Sequence, residues 1–368
     1  MSELQHRPLH KKFHPLIWLF VVALIALYVQ AWTQTQIRLT DFPAFYASGR
    51  LLRAGENPYE REAECRIQGQ IRSDLCIPTP HAPVLLPLFA VISTEDFAAS
   101  YNRWSAILLI MLSLCAWVGY KLSGSLLSAV CMVLFQPIFI SITQGNITPF
   151  ILVAVLLWLL LLTWHKDFWA GLALSLTVVK PQLALGLGLP LVFVRPKAFL
   201  GLCAGGLTFA VIGFGLVGVE GYRSVLDTIA SMARGEEPGT DPAKMFNITG
   251  LLTRAGLSRL WAWPMFAAGL IGTTLLWRRR FNLRTQMIGI VIALFTSPHL
   301  FTHDLSLLAV PLLFVHPVAP IAASCVFLLA QAAGAQYAGA YLLMGALIVF
   351  YWRRKTHDDD VDGLASTA

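Results

Sequence analysis

Charge is what this chain has least of. Asp, Glu, Lys and Arg make up 13% of its 368 residues, against 57% hydrophobic, where a soluble domain carries about 25% charged residues. The deficit excludes a water-facing globule of this length and points to the membrane class. Several enzyme signatures are missing as well. No Cys/His set has zinc spacing and no glycine-rich loop follows a strand, so neither a zinc centre nor a phosphate-cradling nucleotide fold is expected. No long polar segment is available to fold as a nucleotide-binding domain. The Asp-x-Asp pattern in "HDDDVD" (357–362) therefore reads as part of a solvated tail, 353–368, rather than as a metal motif, and no metal ligands are assigned. No repeat relates the two halves, as it commonly does in transporters.

Long apolar runs are what the chain has instead. "PLIWLFVVALIALYVQAW" (15–32), "AILLIMLSLCAWVGY" (106–120) and "FILVAVLLWLLLLTW" (150–164) approach the ~20 residues that cross a bilayer. The basic start "HRPLHKKFH" precedes the first run with no cleavage site after it, which reads as a retained anchor with its N-terminus inside. Spans are expected near 15–32, 99–120, 124–142, 147–164, 168–180, 183–195, 198–219, 259–277, 285–299, 304–316, 318–334 and 337–352, about twelve in all. In that register Lys121, His165 and Lys166, Arg195 and Lys197, "RRRFNLR" (278–284) and "RRK" (353–355) fall on one side, as the positive-inside rule requires. The formal charge of +7 is thus a matter of topology rather than of nucleic-acid binding. The short apolar "HAPVLLPLFAVIS" (81–93) would invert every later loop if it spanned, so it reads as re-entrant or interfacial.

The expected architecture is a single all-α, polytopic domain over 1–352. Two external loops, 33–98 and 220–258, and the polar turns "TQGNIT" (143–148), "KPQ" (180–182) and "SPHLFTHD" (297–304) share one face. "KPQ" is a candidate break inside the membrane, tolerated where backbone is buried in protein or lines a wet cavity. Cys65 and Cys76 lie outside the apolar spans, where an oxidising compartment lets them close a disulfide or leaves them free; the other cysteines read as packing residues. "GLCAGGLTFAVIGFGLVG" (201–218) is glycine-rich but apolar, which suits close helix packing. The sequon at Asn247 and the charges Arg234, Glu236, Glu237 and Lys244 belong to a loop that serves as a lid or as a solvated connection.

The polar stretch after the first span, "TDFPAFYASGRLLRAGENPY" (40–59), has Phe42, Phe45, Tyr46, Gly49 and Leu52 at helical spacing, with Ser48, Arg50 and Arg53 opposite. That pattern predicts an amphipathic interfacial helix, started by Asp41 and ended by Gly55. Asp41 is either a helix cap or a general base, and the two roles are compatible because a helix N-terminus favours the ionised carboxylate.

Four blocks, "DFPAFYASGRLLRAGENPYE" (41–60), "QGNITPFILVAVLLW" (144–158), "AGLALSLTVVKPQLALGLGLPLVFVRPKAFLG" (170–201) and "TSPHLFTHDLSLLAVPLLF" (296–314), resemble the signature blocks of glycosyltransferase family 87. The resemblance implies a membrane glycosyltransferase of GT-C architecture that moves a hexose, commonly mannose, from a polyprenyl-phosphate donor to a glycolipid or glycan acceptor. It implies inversion at the outer face of the cytoplasmic membrane with Asp41 as the base, and no cofactor beyond the lipid-linked co-substrate. Gln144, Gly145 and Asn146 stand where the family often has Gly-Gln-Asn, and His303 with Asp304 where it often has Tyr-Asp.

The residues themselves agree with that chemistry. Lys180, His299 and His303 are candidate partners for a leaving phosphate, Asn146 and Gln182 for sugar hydroxyls, and Tyr46 for the donor. Each also has a plainer role. Lys180 can snorkel to the interface, His299 can be a packing histidine, Asn146 can cap the helix that follows it, and Asp304 reads best as a helix cap. The rival function is a transporter or lipid flippase that makes no glycosidic bond.

Overall fold

The computed structural model describes Leu19, residues 21–23, 25, 26 and 28–30, and then residues 41–74, 76–234, 236, 237 and 240–353. The "HDDDVD" tail and half of the first apolar run lie outside the described residues. Among those described, every regular element is helical. In chain order they are α1 (Val21–Gln30, described in part), α2 (Phe42–Ala54), α3 (Arg61–Ile71), α4 (Leu86–Ile92), α5 (Phe97–Ser123), α6 (Leu126–Val133), α7 (Gln136–Gln144), α8 (Thr148–Thr163), α9 (Asp167–Leu174), α10 (Pro181–Gly188), α11 (Leu191–Val194) and α12 (Pro196–Arg234). They continue as α13 (Ile248–Arg254), α14 (Ala262–Arg279), α15 (Leu283–Thr296), α16 (Ala309–Leu313), α17 (Ala319–Ala332) and α18 (Gln336–Arg353).

Three helical stretches are long and apolar enough to cross a membrane, Phe97–Ser123, Pro196–Met232 and Arg259–Arg279. A fourth is made if α6 and α7, bent by 48° at their junction, count as one span. Most of the other segments expected to span are apolar helices of 10 to 17 residues. Pro83–Ile92, expected to be re-entrant or interfacial, is an apolar helix of the same class, short of the ~20 residues that a span needs.

Helix α12 departs from expectation. The span expected to end at 219 continues as helix to Arg234, through a break at Gly218 where φ is 63° and ψ is −166°. The outer arm stays helical because Tyr222, Val225 and Ile229 recur on one face and pack against the core. The glycine-rich stretch does support close packing. A Cβ on Gly201 would meet the carbonyl oxygen of Phe168 at 1.9 Å, so α12 crosses the start of α9 with backbones nearly touching.

The first polar region is built differently from the interfacial helix expected there. Helix α2 has the foreseen bounds, with Gly55 left-handed at φ 75° after its last turn. Its aromatic face does not meet lipid, however. Phe42, Phe45 and Tyr46 are buried, as are Ser48 and Gly49. Phe45 stacks on Phe89 of α4 with centroids 4.6 Å apart, and Trp104 of α5 lies edge-on to both. A helix with aromatics at this spacing looks the same in sequence whether its partner is a bilayer or a protein. Here α4 and α5 supply the partner.

Helix α3 clamps the extended segment that follows it. Cys65 and Cys76 are joined in a disulfide with Cα atoms 4.6 Å apart. The Gln68 amide bonds both the N–H and the carbonyl of Ile77, at 2.9 and 2.7 Å. Glu64, buried, accepts from Ser48 Oγ at 3.0 Å and from the Thr79 N–H at 3.2 Å. Tyr59 donates to the carbonyl of His81 at 2.8 Å. Cys115 and Cys131 are buried packing residues as expected, while Cys203 and Cys325 are exposed.

Candidate active site

Four chain breaks, each marked by a proline, converge at one end of the helices. Asp41 precedes Phe42-Pro43, Asn146 precedes Ile147-Thr148-Pro149, Lys180 precedes Pro181, and Ser297 precedes Pro298-His299. Proline is accepted in a first helical turn but pushes the residue before it out of the α region. Lys180 accordingly sits at φ −126° and ψ 82°, between the 3₁₀ turn Ser175–Val179 and α10. Ser297 is extended at φ −50° and ψ 137° after α15. Each break turns a polar side chain inward where a continuous helix would have placed an apolar one.

Gly145 joins the first two breaks. It is left-handed at φ 70°, and a Cβ there would lie 2.6 Å from Cβ of Phe42. The Trp104 indole donates to its carbonyl at 2.7 Å, and the Asp41 N–H donates to the carbonyl of Gln144 at 3.1 Å. The start of α2 is thereby fixed against the end of α7.

The side chains form one connected network. Asn146 Nδ2 donates to Asp41 Oδ2 at 2.6 Å. The N–H and hydroxyl of Thr148 donate to Asn146 Oδ1 at 2.9 and 2.6 Å. Lys180 Nζ donates to Thr148 Oγ1 at 3.5 Å and forms an ion pair with Asp304. His303 Nε2 lies 3.6 Å from Asp304 Oδ2, and its Nδ1 lies 3.2 Å from the Gln144 side-chain oxygen. Gln182 donates to the carbonyl of His299 at 3.4 Å, and the ring of Phe301 stands between the two histidines.

Several expectations change on this geometry. Asp41 occupies the cap position of α2 without making a side-chain cap bond, so capping does not explain its carboxylate. Lys180 does not snorkel; it is buried on Asp304. Asp304 does accept from the Phe301 N–H at 2.9 Å, as a cap would, but it is also the counter-ion of Lys180. Tyr46 stands outside the network. Its hydroxyl donates to the Glu95 carbonyl and receives Arg50, both at 3.1 Å, so it ties α2 to the start of α5. Asn247 is fully buried, caps α13 and is closed to modification.

His81 was missed in the sequence. It is buried, its ring lies 4.9 Å from that of Phe45, and it feels the charge of Lys180. Burial, then Lys180 and His303, push it down to about 3, so it is neutral at any physiological pH. The available signal was a histidine at the mouth of the short segment 81–93, between two Pro-containing turns. Thr148 was also missed, because a threonine in a first helical turn carries no signal of its own.

Apolar helices long enough to cross a bilayer, with a carboxylate, an ammonium and imidazoles gathered where the helices break, define a membrane protein with an enzyme-like polar centre. Ionisable groups buried among apolar helices are a functional hypothesis by default. The model of glycosyltransferase family 87 matches residues 79–311, more than half of the chain, and the chain belongs to that family of membrane glycosyltransferases. The matched range holds His81, Asn146, Thr148, Lys180, Gln182, His299, His303 and Asp304, and begins after Asp41. Searches of the curated proteins and of the solved structures found no match for the chain.

Proposed function

We propose that this glycosyltransferase takes a hexose, mannose on the family resemblance, from a polyprenyl-phosphate donor and places it on a glycolipid or glycan acceptor. In this reading the chain crosses the cytoplasmic membrane about twelve times, and the Asp41 end faces outward. The observation that carries the reading is the Asp41 carboxylate, held on one oxygen by Asn146 at 2.6 Å and joined through Thr148 to the Lys180–Asp304 pair.

The acceptor hydroxyl loses its proton to the second oxygen of Asp41 as its own oxygen attacks the anomeric carbon. The bond from that carbon to the phosphate oxygen breaks, the configuration inverts, and polyprenyl phosphate leaves. Lys180, with His299 and His303 around it, supplies hydrogen-bond donors to the phosphate as its charge grows. Gln182 and Asn146 face the sugar hydroxyls. No metal or other cofactor takes part.

Membranes containing the protein, given radiolabelled polyprenyl-phosphate mannose and a lipid acceptor fraction, are expected to form labelled product. Asp41→Asn is expected to express normally and form less than about a hundredth of it. Full activity in that variant would remove Asp41 from the chemistry. Movement of substrate across the membrane with no new glycosidic bond would favour transport instead.

A further inference from the structure

We propose that Thr148 is a positioning residue for Asp41, setting which oxygen of that carboxylate is free to accept a proton. The proposal rests on the reading of Asp41 as the base and adds a residue to which that reading gives no role.

Lys180 and Asp41 stand at the two ends of a hydrogen-bonded chain that runs in one direction. Lys180 Nζ is ion-paired with Asp304, and an ammonium has only donors. Its bond to Thr148 Oγ1 therefore consumes a lone pair of that oxygen, and the Thr148 hydroxyl proton must point elsewhere. The partner within reach is Asn146 Oδ1 at 2.6 Å, which also receives the Thr148 N–H at 2.9 Å. A carboxamide can turn over and exchange its oxygen for its nitrogen. Here the reversed amide would set an NH₂ group against two donors, so the oxygen stays on the Thr148 side. The NH₂ group is then committed to Asp41 Oδ2, an acceptor only when ionised.

Thr148, Asn146 and Lys180 are 1%, 3% and 8% exposed, so water is poorly placed to replace a missing donor. The polarity set at Lys180 thus arrives at Asp41 through two intermediate side chains. Without the hydroxyl only the Thr148 N–H holds Asn146 Oδ1, so the carboxamide keeps its oxygen on that side but loses the bond that fixes its tilt. Its NH₂ group would then shift against Asp41 Oδ2, and the carboxylate would reorient with it.

The test uses purified full-length protein and the Thr148→Val and Thr148→Ser variants. The infrared carboxylate stretch of Asp41 is isolated by subtracting the spectrum of Asp41→Asn. In Thr148→Val this band is expected to move from its wild-type position, and in Thr148→Ser to return to it. In the transfer assay Thr148→Val is expected to lose roughly ten- to a hundredfold in kcat, with the donor KM unchanged, and Thr148→Ser to recover most of that loss. A Thr148→Val band at the wild-type position, or a Thr148→Ser band displaced as far as that of Thr148→Val, overturns the proposal. If wild-type protein transfers no sugar from any polyprenyl phosphate, the glycosyl-transfer reading falls, and the infrared comparison still decides whether Thr148 holds Asp41.

Discussion

Residues 41–96 and residues 240–254 are both polar regions between apolar helices, yet they are joined to the active site in opposite ways. The first region puts two chemical groups into it, Asp41 from the start of α2 and His81 from the segment clamped under α3. The second puts none there. It braces from behind the turn that carries His299: Phe246 donates its N–H to the Leu300 carbonyl at 2.9 Å, Thr249 donates to the Pro298 carbonyl at 2.8 Å, and Asn247 bonds the Ser297 carbonyl. The fastening differs to match. The first region is held by a disulfide, a buried carboxyl and an aromatic stack, and the second by helix caps and carbonyl contacts. The cross-link and the stack fall in the region that contributes candidate side chains, in line with the need to hold reacting groups within about half an ångström.

This contrast can be broken at its strongest point first. A Cβ on Gly49 would lie 2.4 Å from the carbonyl oxygen of Phe89, and backbone cannot yield there without separating α2 from α4. Gly49→Val is expected to cost roughly 3 kcal/mol or more and to abolish folded protein, read as the monodisperse peak on size exclusion in detergent. A Gly49→Val protein with wild-type yield would show that the first region tolerates what we regard as its tightest contact.

Glu64 gives an effect of intermediate size with a defined pH signature. Burial pushes its carboxyl up to about 7 from the ordinary 4.5, although bonds from Thr79 and Ser48 and the charge of Arg61 pull the other way. The folded chain therefore prefers the neutral acid. The stabilisation is fully present below about pH 4.5 and is lost as pH rises through about 7, roughly 3 kcal/mol across that window. The thermal midpoint of the wild type is expected to fall between pH 5 and pH 8, and that of Glu64→Gln to stay level. Equal slopes in the two proteins would place the titration elsewhere.

The smallest effect is expected where the first region meets Glu237, in the connection that leads into the second. Arg61 Nη2 lies 2.9 Å from Glu237 Oε2, with side chains 37% and 17% exposed. Arg61→Ala is expected to lower stability by less than about 1 kcal/mol, and transfer activity is expected to be unaffected. A large loss of activity would mean that the two regions work as one body, and the contrast drawn above would fail.

Local features were legible in the sequence, and long-range pairings were not. The bounds of α2, the left-handed stop at Gly55, the break at Lys180 before Pro181 and the all-helical character all follow from spacing and from proline and glycine chemistry. The candidates Asp41, Asn146, Lys180 and His303 were found because each lies near such a break, and the structure does connect them. What spacing could not reveal is which group each one meets. Asp304 looks like a cap from its neighbours alone, and its pairing with Lys180 spans 124 positions. The burial of Phe42 and Phe45 was equally hidden, because helical periodicity marks an apolar face without naming its partner. The interior position of His81 depends on the clamp under α3, which no local pattern announces.

The network from Asp41 to His303 also has a bearing on how the protein is made. Asp41 meets Asn146 across 105 positions, Lys180 meets Asp304 across 124, and Gln144 meets His303 across 159. No stretch shorter than most of the chain contains both Asp41 and its most distant neighbours. A truncated or half-inserted product would carry several of these groups and be able to align none of them. Sugar transfer would then begin only when the segment carrying His303 and Asp304 has joined the start of α2, so activity would serve as a report of that assembly in the membrane.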